Sequence, residues 1–247
     1  MVMNLPIRPP VALTWDGYAW EGSMPRGVWA NVDVRYGPDD RRRRPARGRP
    51  PVAVNVRPAR ERPPAPPQAA QVAAIAYHVE HAAAVMAVVL PAILDHYLAE
   101  RAGWKAVLHG LTHLVPPIRS ARGLRSLVRL TGLHVVPFAK DDLAYAGLEF
   151  ACSWDDEHGL GVMTHGDRVI AVGAADTAWN VWRCRDDGGR ELVAAPAAPP
   201  LVDDAGGPGI ELLTDDEEFV LTSVLPSPAP GVPADGIDVP ADDGAGE

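Results

Sequence analysis

The chain has 247 residues, with 26 prolines, 23 glycines and 23 basic against 32 acidic side chains, a length that holds one ordered domain with long tails or two small domains. The formal net charge of −9 is unevenly spread: residues 1–190 sum to +4, and residues 191–247, which hold no lysine or arginine, sum to −13. Two cysteines are too few for a disulfide framework, the start Met1-Val-Met-Asn-Leu-Pro6 has no charged-then-apolar leader pattern, and the longest apolar run, Ala82 to Leu94, is 13 residues with Pro91 inside it, against about 20 for a membrane span. A cytoplasmic protein without a membrane segment is expected.

Residues 1–9 read as a flexible N-terminus and residues 10–193 as one domain. Leu13 to Trp20 and Val28 to Val34 alternate as short strands do, with Gly22, Pro25 and Gly27 between them, so an N-terminal hairpin is predicted. Residues 37–51, rich in arginine and proline, cannot bury their charge and are expected as a mobile loop. Val52, Val54 and Val56 alternate as a third strand that returns to the first two. From Gln68 to about Arg101, apolar side chains recur at helical spacing, and Pro91 should kink or divide that helix because it lacks an amide donor. Two shorter helices are predicted, one across Trp104 to Val115 and one from Arg119 to Leu130. Strands follow at Leu133 to Pro137, Tyr145 to Trp154, Leu160 to His165 and Arg168 to Gly173, the last two joined by the turn pair Gly166-Asp167. Trp182 to Arg185 and Arg190 to Val193 suggest another hairpin. Residues 194–247 bury too little apolar surface to offset chain entropy and are expected as a disordered acidic tail. Thr214-Asp-Asp-Glu217 resembles a capping box, which would open a short helix at 215–225 within it.

The densest block of order runs from Leu143 to Trp179, with Cys152-Ser-Trp-Asp-Asp-Glu-His-Gly159 at its centre. Taking Asp155 to Gly159 as a five-residue loop pairs Trp154 with Leu160, Cys152 with Val162 and Phe150 with Thr164. Phe150, Cys152, Trp154, Leu160, Val162, Val169 and Ala171 then share a core face. Glu149, His165 and Arg168 fall in one row on the other face. Cys152 and His165 thus point to opposite sides of the sheet, which disfavours a thiol–imidazole nucleophile pair. Asp155, Asp156, Glu157 and His158 remain as acid/base or ligand candidates. A plainer reading has Asp155 capping loop amides and Gly159 supplying positive φ.

Leu148 to Val162, followed by His165-Gly-Asp-Arg-Val169 and Val172-Gly-Ala-Ala-Asp176, resembles a family of uncharacterised bacterial domains with a Cys-x-Trp-Asp-x-Glu-His-Gly-x-Gly-Val segment. The likeness is specific over residues 143–179, weaker over the helix at 68–101, and absent from the arginine loop and the tail. Ala174 stands where that family has its second glycine. The resemblance implies no catalytic role; it does imply that some relatives are immunity-like or accessory proteins of toxin systems.

All eight histidines lie between His78 and His165. His109-Gly-Leu-Thr-His113 has a ligand-capable spacing, but Gly110 stands where zinc proteases carry their glutamate base. The arginines at 41–49 and the stripe Arg119, Arg122, Arg125 and Arg129 have the charge to meet phosphates, opposed by the 13 acids of the same chain's end. Trp15, Trp20 and Trp29 are read as exposed anchors for a partner.

The expected fold is α+β: an antiparallel sheet with one long N-terminal-half helix and two shorter helices packed on it. The expected function is non-catalytic binding of a protein partner, with immunity-type neutralisation of a bacterial toxin as the form the resemblance implies. The contact residues would be Trp154, Asp155, Asp156, Glu157, His158, His165 and Asp176, with no cofactor. An alternative is a metal-assisted hydrolase with Asp155, Glu157 and His158 as catalytic groups and Asp155, His158 and His165 as ligands. A nucleic-acid-associated protein using the arginine clusters is the other.

Overall fold

The computed structural model describes residues 1–24, 51–61, 64–108 and 110–193. The predicted strand at Val28 to Val34, the arginine loop, His109 and everything predicted beyond Val193 lie outside the described residues. The fold is α+β. Among the described residues nine strands form one sheet: β1 (Val2–Asn4), β2 (Ala12–Trp15), β3 (Trp20–Ser23), β4 (Ala53–Val56), β5 (Val128–Lys140), β6 (Leu143–Cys152), β7 (Asp155–His165), β8 (Arg168–Ala174) and β9 (Arg190–Glu191). The first eight lie side by side in chain order, and β9 pairs with β5.

Every pairing is antiparallel except that of β4 with β5. A parallel pair cannot be closed by a tight turn and needs a long crossover. Helices α1 (Ala69–Glu80) and α2 (Ala82–Val107) supply it and cover one face of the sheet. The register explains why that face takes them. Leu13, Gly22, Val54, Leu133, Leu148, Val162 and Val172 form one continuous cross-strand row. Trp20, Val56, Val135, Ala146, Thr164 and Val169 form the next row on the same side. Against these rows lie Ala74, Ile75, His78 and Val79 of α1, with Val85, Met86, Val89, Leu90, Ile93 and Tyr97 of α2, at the three-and-four spacing of a helix stripe. Each fully buried aliphatic side chain there contributes about 2 kcal/mol of transfer free energy.

Several predicted boundaries are corrected. The first hairpin closes within the predicted first strand, at Asp16, whose Oδ1 accepts the amides of Tyr18 and Ala19 (both 2.7 Å). Val2–Asn4 pairs with β2, so the sheet begins inside the segment predicted to be flexible. The long helix divides at His81 (φ −110°, ψ 24°), not at Pro91, which sits exposed within α2. Water can meet the carbonyl that a proline there leaves unbonded, so the helix runs through. With 26 residues and an 18-residue window of mean hydropathy 1.8, α2 is long and apolar enough by composition to cross a membrane. Here its apolar stripe packs on the sheet.

The helix predicted at 104–115 is instead the last turn of α2 and a 3-10 turn at Thr112–Leu114. That predicted from Arg119 to Leu130 is only α3 (Ala121–Leu124) before β5 begins, so Arg119 to Arg129 do not form a helical stripe. Segment Val181–Asp186 is helix α4 rather than a strand: Asn180 Oδ1 accepts the Trp182 amide (3.1 Å) and caps it.

Candidate functional site

The dense central block forms a hairpin, but with a different turn. Cys152 faces Asp155, Phe150 faces Leu160 and Leu148 faces Val162, so Ser153-Trp154 makes the turn and Asp155 begins β7. The four residues Asp156 to Gly159 bulge from the ladder, with Gly159 at φ +78°. The true register differs from the predicted one by four positions along a strand, Phe150 meeting Leu160 and not Thr164. An even slip keeps every side chain on its predicted face, which is why Phe150, Cys152, Trp154, Leu160 and Val162 are all in the core. A second bulge between Met163 and Thr164 is an odd slip: it turns Val172 toward the helices and Ala171 away.

This geometry places the block's side chains residue by residue. Cys152 is fully buried, and burial pushes its thiol up to about 12; the same holds for Cys184. A thiol so displaced is not a nucleophile at neutral pH. Trp154, predicted as a contact residue, is buried under α2, stacked on Trp104 (5.1 Å, 20°) and tilted against Tyr97 (4.9 Å). His165, also predicted at the surface site, is held at the other end of β7: its Nε2 lies 2.9 Å from the Lys140 carbonyl and its ring 4.8 Å from that of Tyr145. There it fastens the β5–β6 turn. Asp155 Oδ1 accepts the His158 amide (2.9 Å) and lies 3.1 Å from His158 Nδ1, the capping arrangement of the plainer reading. Asp156, Glu157 and Asp176 are exposed. The proposed ligands Asp155, His158 and His165 are therefore not brought together, and no group of three metal-capable side chains occurs among the described residues.

Of the row predicted from Glu149, His165 and Arg168, the pairing of His165 with Arg168 forms, and Glu149 lies elsewhere. Arg168 grips Asp187 through Nη1 (2.7 Å) and Nη2 (2.5 Å), while Glu149 faces Gly132 and Gly161 and turns to His134.

The face away from α1 and α2 holds the more telling arrangement. Its central row runs Thr14, Glu21, Asn55, His134, Gly147, Met163, Ala171. Toward β8 this face is covered by a 3-10 turn at Ala175–Trp179 and by α4, over a small core of Val136, Phe138, Tyr145, Met163 and Cys184. The turn lies directly on glycines. A Cβ on Gly147 would overlap the Ala178 carbonyl, and one on Gly161 would stand 2.5 Å from the Ala175 carbonyl. Only a residue without a side chain lets the turn come this close.

Where the turn ends, Trp179 stands beside His134 (4.8 Å between rings), and the polar half of the face opens into a cavity of about 250 Å³. Asp16, Tyr18 and Ala19 from the β2–β3 turn, Glu21, Asn55, Arg57, His134 to Val136, and Trp179 line it. His134 Nε2 lies 2.7 Å from Glu149 Oε2. A carboxylate only accepts, so Nε2 donates to it. Gly132 makes room for the pair, since a Cβ there would stand 3.0 Å from His134 Nε2. Arg57 lies over the Tyr18 ring (5.9 Å). Backbone amides of Tyr18 and Ala19 hold the Asp16 carboxyl below its ordinary range. The arrangement offers hydrogen-bond acceptors, two aromatic rings and one guanidinium on a rigid floor.

A family model described as a domain of unknown function, DUF6985, matches residues 49–179. The chain belongs to the DUF6985 family. No curated protein and no solved structure matches it. The DUF6985 segment contains β4 to β8, the glycine bed, Asn55, Arg57, His134 and Trp179 of the cavity, and Glu149 beside it. Asp16, Tyr18 and Glu21 lie before it, so this wall of the cavity comes from outside the DUF6985 match. None of the cavity residues is among the contact residues predicted from sequence, and Glu149, beside the cavity, lies in a different row from the predicted one. Asn55 between Val54 and Val56, and His134 between Leu133 and Val135, are the available signal: a polar residue on the alternate face of an otherwise apolar strand.

Proposed function

We propose that this DUF6985 domain is a non-catalytic recognition module for a protein partner, and that it binds through the polar face of the sheet rather than through the Asp155–His158 bulge. The observation that carries this is the concentration of interface-type residues on that side. Tyr18 (59% exposed) and Trp182 (64% exposed) are large aromatics left in solvent, Arg57 lies over Tyr18, and Arg185 over Trp182 (4.7 Å). Tyrosine, tryptophan and arginine are the residues that dominate binding energy at interfaces. Rigid floors favour recognition because little ordering remains to be done on binding. Neutralisation of a bacterial toxin is the specific form suggested by the sequence resemblance.

The test is capture of partners by the tagged full chain in its native host, followed by protein identification. One partner at constant stoichiometry should be retained by the chain and lost from a Tyr18→Ala/Trp182→Ala variant. Asp155→Ala/His158→Ala should retain it. Loss of the partner from the bulge variant alone would overturn the assignment.

A further inference from the structure

Carboxylates outnumber guanidinium groups around the cavity beside Trp179, Asp16 and Glu21 against Arg57. Glu21, Asn55 and His134 are consecutive members of one cross-strand row, so their side chains rise from the same face on neighbouring strands, about 5 Å apart. Glu21 brings a carboxylate and Asn55 an amide oxygen, and the His134 ring stands beside them with its Nε2 turned to Glu149. Asp16 adds a second carboxylate at the rim, one of whose oxygens is used by the turn amides. The lining side chains that donate are Arg57, set over the Tyr18 ring, the phenol of Tyr18, the indole N–H of Trp179 and the second half of the Asn55 amide. Trp179 and Tyr18 supply flat apolar surface beside the acceptors.

We propose that the cavity receives one arginine side chain from a polypeptide ligand, its guanidinium forked onto Glu21 and its plane laid against the aromatic lining; as the identity of a partner's anchor, this rests on the recognition reading above. Three features select arginine over the alternatives. The excess of carboxylate over guanidinium rejects an acidic side chain. Acceptors in a row suit a planar fork with several N–H groups better than a single ammonium. Aromatic faces stack on a guanidinium, which sheds water more readily than an ammonium.

The probe is N-acetyl-arginine amide added to the folded full chain, followed by NMR at the Trp179 indole and the His134 ring. Saturable shifts at both, with a dissociation constant of about 1 mM, are expected. Glu21→Gln, an exposed position that the fold tolerates, should weaken binding roughly tenfold by removing a charge-assisted pair. Tyr18→Ala should weaken it independently, and N-acetyl-glutamate should give no saturable shift. Absence of shifts at both rings, or an undiminished response in Glu21→Gln, overturns the proposal. The two readings fail separately: a partner lost from Tyr18→Ala/Trp182→Ala alongside a silent arginine probe sinks only the arginine anchor. A saturable arginine response with no captured partner sustains the cavity and sinks the recognition role.

Discussion

Gly147 and Gly161 are the residues on which the accessible face depends, because the 3-10 turn carrying Trp179 rests on their backbones. Gly147→Ala forces a Cβ against the Ala178 carbonyl and cannot be relieved by a flexible side chain. Such overpacking should cost about 3 kcal/mol, seen as a lower urea midpoint with an unchanged slope. Gly103, exposed on α2 with open space at its Cβ, is the control: Gly103→Ala should be neutral to slightly stabilising. Cys152 gives a second prediction at this scale. With the thiols of Cys152 and Cys184 buried and raised to about 12, native protein should resist iodoacetamide and label only at the rate of unfolding. Rapid labelling of Cys152 at neutral pH would restore it as a reactive candidate. Sequence alone reached the burial of Cys152 through strand parity, which survives an even slip in register. It could not reach the His134–Glu149 pair, because these residues meet only through a bulge at Thr131 that no local pattern announces.

At the scale of elements, two of the polar contacts between helices and sheet have their own pH windows. His78 of α1 is buried, with Nδ1 2.8 Å from the Ala74 carbonyl and Nε2 3.2 Å from Thr164 of β7, and burial lowers its pKa to about 4. The unfolded chain therefore binds a proton that the native state refuses. Stability is full above about pH 6.5 and declines as pH falls toward about 4, by roughly 3 kcal/mol in all. Denaturation across that range should show the decline in the parent chain and its loss in His78→Gln. Asp187, just after α4, acts lower on the scale. Arg168 above all, with Tyr145 (2.8 Å) and Lys140, holds its carboxyl well below the usual carboxylate range. Its contribution is present above about pH 4 and lost on further acidification. Asp187→Asn should speed amide exchange in α4 while leaving α1 and α2 protected. Helix periodicity located α1 and α2 correctly, since their stripe is long and regular. The break at His81 and the helical state of Val181–Asp186 depend on packing and a cap rather than on period, so alternation misled there.

On the scale of the whole molecule, the pairing of β4 with β5, the one parallel pair among the described residues, gives the sheet two unlike sides. The crossover it demands puts both long helices on one face, and the other is left to short elements and polar side chains. An α+β class was legible because alternating strands and a helical stripe occupy separate stretches of sequence. The direction of β4 was not, since local alternation does not say which neighbour a strand will take. That direction decides which side a partner can reach. The account stands or falls on that side, and hydrogen exchange of the chain with its captured partner measures it directly. Protection should appear at residues 16–23, 53–57, 132–136 and 177–185, with 153–159 unchanged. Protection confined to the Asp155–His158 bulge or to the outer surface of α2 would contradict it.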